Sequence, residues 1–296
     1  MLRAWQIERA AGRGKPQWLA FCRRVGDWLI ACQNPDGSFY REWTIDGKPA
    51  SKSLTNTLHP VRLLVDLSCA TGDMKYRQAA LRAAAFALKT PDTYVGGTPD
   101  NPDVIDKEAG WIAFEAYLAL YDVTHEKKYL DAAERAATFT ETWVYGWNVP
   151  MPLDAKQLTI PKLQTTAGMS LIATGHSGSD LFLAYASLSY LRLSIYTGDG
   201  HYADVARLLQ ANTAQLVDVG GSLGYAQPGL CVEAFSLAVN RGQSVGVWLP
   251  WCTSAIVEPM ARAREVFGVL DIHSALKLPT EELRRRNDTF AKTRGF

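Results

Sequence analysis

Two short stretches place ionisable residues where a loop passes into a predicted helix. DVIDKEAGW carries Asp106 and Glu108, and TGHSGSD carries His176 and Asp180. A carboxyl or imidazole group in such a position can move a proton in acid–base catalysis. An acidic residue there can also simply cap the free N–H groups of the helix. Asp106 and Glu108 are therefore candidate catalytic residues, with helix capping as the alternative.

The second stretch surrounds its two ionisable residues with small ones. His176 and Asp180 are four residues apart, so they share one helical face if the helix has begun. We place Asp180 in an otherwise apolar inner helix, where an unpaired charge is costly. It must therefore pair with another group or serve a site, whereas His176 could simply bond a neighbouring loop. Both residues join Asp106 and Glu108 in the predicted catalytic set.

The sequence has no pattern typical of a metal or nucleotide site. It contains no HExxH motif and no Cys/His cluster at ligand spacing. It has no P-loop, and GHSGS does not fit the GxSxG elbow. The five cysteines are scattered without a CxxC pair, which favours buried free thiols. We predict no metal and no cofactor.

A turn motif occurs three times and indicates a repeated structural unit. Its copies are TGDMKY from Thr71, THEKKY from Thr124 and TGDGHY from Thr197, and each ends in a Tyr five residues after the Thr. Hydrophobic residues recur at helical spacing on both sides. Gly suits a helix stop and the following Asp suits the cap of the next helix. Each copy predicts a helical hairpin whose Tyr packs the turn against a neighbouring helix.

The links between the hairpins are long and rich in Pro, Gly and aromatic residues. Loops of this length in a compact domain are usually functional. The copies lie 53 and 73 residues apart, which favours an α/α toroid with unequal loops over a solenoid of fixed period. We expect the helix after each long loop to line the inside, with its N-terminal end facing the cleft.

Several motifs together resemble the six-hairpin glycosidase superfamily over roughly residues 16–266. They are the TGD-x-x-Y turns, Q-x-x-DGSF at Gln33–Phe39, DKEAGW and TGHSGSD. The resemblance implies an all-α (α/α)6-like toroid that forms a single domain over residues 1–296. We count nine or ten helices rather than twelve, so the ring is incomplete, extends into a longer parent chain, or is closed by a second copy in a homo-oligomer.

The resemblance also implies hydrolysis of a β-linked or uronic-acid-containing glycoside. Such hydrolysis normally uses two carboxyl groups, for which Asp106 and Asp180 are the first candidates. An oligosaccharide or polysaccharide is the implied substrate, and aromatic faces suit its sugar rings. The predicted substrate-binding residues are aromatic, basic or acidic and lie in loops or at helix starts: Trp43, Arg41, His59, Trp111, Trp147, Tyr225 and Glu233. Asp36 is interpreted as a turn residue.

Three other interpretations remain open. A sugar epimerase or polysaccharide lyase on the same toroid would depend on His59, His176 or Asn56. A noncatalytic carbohydrate-binding or assembly module would need none of them. The Gln33-aromatic pattern also resembles terpenoid cyclases and prenyltransferase-like toroids, where it ties a helix end to the next turn, but their DxDD motif is absent.

Composition limits the expected binding partners and the expected cellular location of the protein. The net charge of +1, without a basic block, argues against nucleic acid and anionic membranes as main partners. No apolar run approaches the roughly 20 residues that span a bilayer. The start shows no apolar signal core, so a cytoplasmic location is the default expectation. The aromatic segment 241–260 predicts an oligomer surface.

Overall fold

The computed structural model describes residues 1–89, 104–149, 165–176, 178–221, 226–236, 243–244 and 250–294. Helices dominate this part of the chain. They are α1 (Leu2–Ala10), α2 (Pro16–Cys32), α3 (Val61–Thr71), α4 (Met74–Ala87), α5 (Lys107–Thr124), α6 (Lys127–Glu141), α7 (Ser187–Thr197), α8 (Gly200–Leu216), α9 (Pro250–Phe267), α10 (Ile272–Ala275) and α11 (Thr280–Thr293). The strands are β1 (Glu42–Trp43), β2 (Pro49–Ser51), β3 (Ser170–Leu171), β4 (Gly178–Asp180), β5 (Phe235–Ser236) and β6 (Gln243–Ser244).

The chain clusters into two compact units. Unit 1 comprises Met1–Ile105, Ile112–Ala136 and Asp288–Phe296, and unit 2 comprises Asp106–Trp111 and Ala137–Asn287. In unit 1, α3 packs on α4 and both contact α2; in unit 2, α7 packs on α8. That the whole chain forms a single domain stays a prediction.

The three repeated turns share one hydrogen-bond pattern. The hydroxyl of each Thr donates to the carbonyl four residues earlier, over 2.7 Å at Thr71, 2.8 Å at Thr124 and 2.9 Å at Thr197. Each Thr Oγ1 also accepts the backbone N–H two residues later. The residue between them is left-handed, with φ of 70° at Gly72 and 77° at Gly198. This conformation ends a helix and favours glycine.

The middle copy keeps this backbone pattern with different residues. His125 takes the place of glycine and adopts the same left-handed conformation, with φ of 56°. In the other copies Asp73 and Asp199 cap the following helix, as predicted, by accepting a backbone N–H at 3.0 Å and 2.9 Å. The motif tyrosines are buried, which confirms their packing role: Tyr76, Tyr129 and Tyr202. The turn repeat is therefore structural.

A close contact and a polar bridge fix the first hairpin of unit 1. Gly26 of α2 leaves no room for a side chain, because a Cβ there would lie 2.6 Å from Leu67 Cδ1 and 2.8 Å from Tyr76 Cε1. At the end of α2, Gln33 Nε2 donates to the carbonyls of Gly37 and Ala79, each at 2.9 Å. The Gln-aromatic motif thus ties a helix end to the next turn.

The turn after Gln33 confirms the role assigned to Asp36. Its Oδ1 accepts the backbone N–H and the hydroxyl of Ser38, and the side-chain hydrogen bond lowers the pKa of Asp36 most. All five cysteines are free, as predicted: Cys22, Cys231 and Cys252 are buried, and Cys32 and Cys69 are half-buried.

The structure corrects two expectations in unit 2. It contains an antiparallel sheet of order β3-β4-β5-β6 that the sequence did not predict. Asp180 ends strand β4 rather than lying in an apolar helix, so it shares no helical face with His176. Glu233 lies in a bend before β5 and does not begin a helix. Pairing between distant short strands overrides the local helical pattern here.

Candidate functional site

Unit 1 contains a cavity of about 440 Å³ beside the loop between α2 and α3. The end of α2, strand β1 and the start of α3 position its side chains. Its described lining residues are mostly aromatic or apolar, with a few polar groups: Trp28, Leu29, Cys32, Phe39, Tyr40, Arg41, Trp43, Asn56, His59, Pro60 and Leu63. No acidic side chain is among them. Predominantly apolar walls with a few polar groups are typical of small-molecule sites.

Aromatic contacts fix the wall of this cavity. Trp43 of β1 lies with its ring centroid 5.7 Å from that of Trp28 in an edge-on arrangement and 5.9 Å from that of Tyr40. Trp28 remains 43% exposed, so part of its surface is open to a ligand. The sequence prediction named Trp43 but missed Trp28, because a Trp inside an amphipathic helix looks like an ordinary core residue.

Two predicted binding residues, Arg41 and His59, supply polar groups to the same cavity. The Arg41 side chain is only 1% exposed, and its Nε lies 3.4 Å from Glu42 Oε1. The His59 residue is exposed at the cavity edge, where neighbouring groups partly desolvate its ring. This desolvation lowers the pKa of His59 from 6.5 to about 4; a hydrogen bond with the Asn56 backbone opposes the shift and the charge of Arg41 adds to it. His59 is therefore neutral at pH 7.

We expect NMR titration of the histidine rings to show this difference directly. The pKa of His59 should lie well below 6.5, whereas hydrogen bonding to Glu141 raises the pKa of His201 above 6.5. Because burial is the main cause at His59, Arg41→Gln should raise its pKa only slightly. A His59 pKa at or above that of His201 would contradict the geometry of the cavity.

Unit 2 brings two of the predicted catalytic residues into one buried cluster at the start of α5. Asp106 is fully buried, forms an isolated β-bridge with Ala173 and accepts the Ala109 N–H through Oδ1 at 2.8 Å. Asp106 thus caps α5, the alternative raised for it above. The next residue, Lys107, forms an ion pair with Asp180.

The Asp180 carboxylate is held by donors on both oxygens. Lys107 Nζ contacts Oδ2, while the Ser170 hydroxyl and the Phe182 N–H donate to Oδ1 at 3.1 Å and 3.0 Å. The Lys107 side chain is completely buried, and its Nζ lies 5.3 Å from the centroid of the Phe182 ring. Sequence reasoning predicted that Asp180 either pairs or serves a site, but it missed Lys107, whose only signal was a lysine at a helix start before an apolar helix.

Aromatic rings surround this cluster. Trp111 stacks on Tyr185 with centroids 5.4 Å apart and meets Phe182 edge-on at 5.4 Å. Phe182 in turn contacts Trp251. The indole N–H of Trp111 is buried and finds no acceptor in the described part of the chain. Trp111, predicted to bind substrate, therefore lies against the residues that hold Asp180.

The remaining predicted site residues in the described part of unit 2 are half-buried or exposed, whereas Asp106, Lys107 and Asp180 are buried. Glu108 is half-buried in the first turn of α5, and His176 is exposed, with Nδ1 accepting the Gly178 N–H at 2.9 Å. Trp147 is 63% exposed beside Tyr145, and Glu233 is half-buried. Tyr225 lies outside the described residues.

The described residues provide neither a candidate metal site nor a membrane-spanning helix. No group of three or more His, Cys, Asp or Glu side chains there could hold a metal ion. No described helix is both long and apolar enough to cross a membrane.

Comparison by sequence gives no match, either to protein-family models or to curated proteins. Solved structures do match the fold. A D-mannose isomerase aligns with a TM-score of 0.50 and 14% identity over 76% of this chain and 56% of its own. An unsaturated glucuronyl hydrolase specific for heparin aligns with a TM-score of 0.51 and 14% identity over 93% of this chain and 67% of its own.

A cellobiose 2-epimerase from Spirochaeta thermophila DSM 6192 aligns over 97% of this chain and 84% of its own, with 16% identity but a TM-score of only 0.41. The chain spans little more than half the length of the isomerase. The isomerase and the hydrolase are (α/α)6 toroid proteins, and this likeness confirms the predicted fold class. The chain therefore has an (α/α)6-toroid fold built from helical hairpins.

Proposed function

We propose that this chain is a carbohydrate-active enzyme that hydrolyses a glycoside. The observation that carries the proposal is the cavity of unit 1, whose aromatic wall, buried guanidinium and neutral imidazole suit a sugar ring. The two solved neighbours with the better fit to the fold are a mannose isomerase and a glucuronyl hydrolase. Fold likeness and cavity chemistry thus support the same class of ligand.

The guanidinium of Arg41 favours a uronic-acid-containing glycoside as substrate. It lies on a cavity wall that has no acidic lining residue in the described part of the chain, although its Nε already pairs with the neighbouring Glu42 carboxylate at 3.4 Å. Arginine pairs with carboxylates through charge-assisted hydrogen bonds. The heparin-specific hydrolase that shares the fold supports the same choice.

Two buried acidic residues of unit 2 support hydrolysis as the reaction, independently of the cavity of unit 1. Glycoside hydrolysis needs one carboxyl group that donates a proton and one that activates water or attacks the sugar. Asp106 and Asp180 are the two candidates; Lys107 follows the first in sequence and forms an ion pair with the second. Asp180 already accepts from Lys107, Ser170 and Phe182, so we assign the proton-donating role to Asp106.

Isomerisation or epimerisation is a second candidate, favoured by His59. A neutral imidazole in a sugar-sized cavity can accept a proton from a substrate carbon. Product analysis by proton NMR separates the two reactions, because hydrolysis releases a new reducing end whereas isomerisation converts one sugar into another. Hydrolysis that is lost in Asp106→Asn but retained in His59→Asn would support the first proposal; the opposite pattern would support the second.

A cavity residue allows a direct test of sugar binding. Trp43→Ala removes the ring that lines the cavity beside Trp28 and Tyr40, so we expect KM to rise about tenfold or more, equivalent to about 1.4 kcal/mol of lost binding. Trp18→Ala on α2, outside the cavity lining, is the matched control and should leave KM within about twofold. Equal KM values for wild type and Trp43→Ala would refute the cavity as the sugar site.

A further inference from the structure

An open apolar groove of about 630 Å³ lies in unit 2, away from the acidic cluster in sequence. Its apolar lining comes from α8, the chain just after it, and α9: Ala211, Val217, Val219, Ile256 and Met260. Val219 is 79% exposed. Val257 and Leu270, which adjoin lining residues in sequence, are 54% and 52% exposed. An apolar surface with several such residues in proximity is typical of a contact surface rather than of a solvent-facing helix.

Charges of both signs line the same groove. Arg207 of α8 is half-exposed and pairs with the exposed Asp204 at 3.0 Å. Asp271 caps α10 by accepting the Ser274 N–H and hydroxyl, each at 2.7 Å, and the hydroxyl hydrogen bond is the main cause that lowers its pKa. Among the described lining residues, the groove therefore carries the guanidinium of Arg207, the carboxylate of Asp271 and the imidazole of His273 along apolar walls.

We propose that this groove is the contact surface between two copies of the chain. A two-fold contact uses the same patch on both subunits, so each residue of one copy can meet a different residue of the other. Arg207 then faces Asp271 of the partner subunit, and Asp271 faces Arg207 of the partner subunit. The exposed Val219 of each copy enters the apolar groove of the other.

The choice of a second copy as occupant follows from this charge pattern. An anionic ligand would satisfy Arg207 but meet the Asp271 carboxylate unfavourably, and a purely apolar ligand would satisfy neither charge. The same patch on a second copy satisfies both charges at once, which gives the contact its orientation. Ile256 and Met260 also belong to segment 241–260, for which the sequence predicts an oligomer surface.

Mass measurement in solution tests the dimer. Analytical ultracentrifugation of the full chain, from about 1 to about 100 µM to cover the range of typical interface affinities, should show a mass that approaches twice 32.6 kDa. Val219→Asp should keep the protein monomeric across that range. Ile45→Asp, which places the same charge on a fully exposed residue of unit 1, should leave the dimer intact.

A charge exchange adds an independent test. Arg207→Glu and Asp271→Lys should each weaken the dimer at least tenfold, and the double variant should restore it, because the opposite charges then face each other again. Thermal melting shows whether Asp271→Lys still folds, and Val219→Asp remains informative if it does not. A wild-type mass of 32.6 kDa at every concentration, or a dimer insensitive to Val219→Asp, would overturn the proposal.

Discussion

Replacing Lys107 with methionine is expected to lower the free energy of unfolding of unit 2 by about 3–5 kcal/mol. Methionine keeps the length of the side chain but removes the ammonium group. The Asp180 carboxylate, 5% exposed, would then lie in the interior with the Ser170 hydroxyl and the Phe182 N–H as its remaining donors among the described residues. Removing one partner of a buried ion pair destabilises a protein far more than replacing both partners with apolar residues.

Urea unfolding of two further variants separates charge from packing. Lys107→Met/Asp180→Leu removes both charges, so we expect it to regain most of the stability that the single variant loses. Lys127→Met breaks an exposed pair with Asp131, in which Lys127 is 83% exposed, and should cost at most about 1 kcal/mol. A loss below 1 kcal/mol for Lys107→Met would show that Asp180 does not depend on it.

Replacing Arg294 with methionine should have an effect of similar size, about 3–5 kcal/mol, in unit 1. The Arg294 guanidinium is buried and pairs with Asp122 and, at 2.8 Å, with Asp66. Burial alone would lower the pKa of Arg294, but the two carboxylates outweigh it and raise the pKa above its usual value. Without the arginine, the buried Asp122 carboxylate loses this cation.

The neighbouring Lys292 provides the matched control for this variant. It is exposed in the last turn of α11, just before Arg294, so Lys292→Met should change the urea midpoint little, whereas Arg294→Met should lower it clearly. Equal midpoints for the two variants would mean that the end of α11 does not hold α3 and α5 through Arg294.

Local sequence signals predicted the hairpins well because each turn is built from nearby residues. Thr71, Thr124 and Thr197 bond backbone groups within four residues, and Asp73 and Asp199 cap the helix that follows directly. Such short-range interactions are visible in a single sequence. The fold class followed from them together with the unequal loops.

The candidate site was predictable only in part, because its decisive contacts join residues far apart in the chain. The partner of Asp180 is 73 residues away in Lys107, and no local pattern connects them. The sheet that carries Asp180 pairs strands from residues 170 to 244. The helical periodicity of the sequence around Asp180 was therefore misleading. Arg41, Trp43 and His59 were predicted as binding residues from their types, and the structure brings all three to one cavity.

An assay with sugar derivatives tests directly whether the chain hydrolyses a glycoside. Wild type and Asp106→Asn should be assayed side by side against chromogenic glycosides and glycuronides, with dye release and ultraviolet absorbance recorded together. We expect dye release from wild type, fastest on a glycuronide, and a loss of about two to four decades in turnover in the variant, the usual contribution of an acid–base group. No dye release and no sugar interconversion on the whole panel, or equal turnover in both proteins, would contradict this expectation.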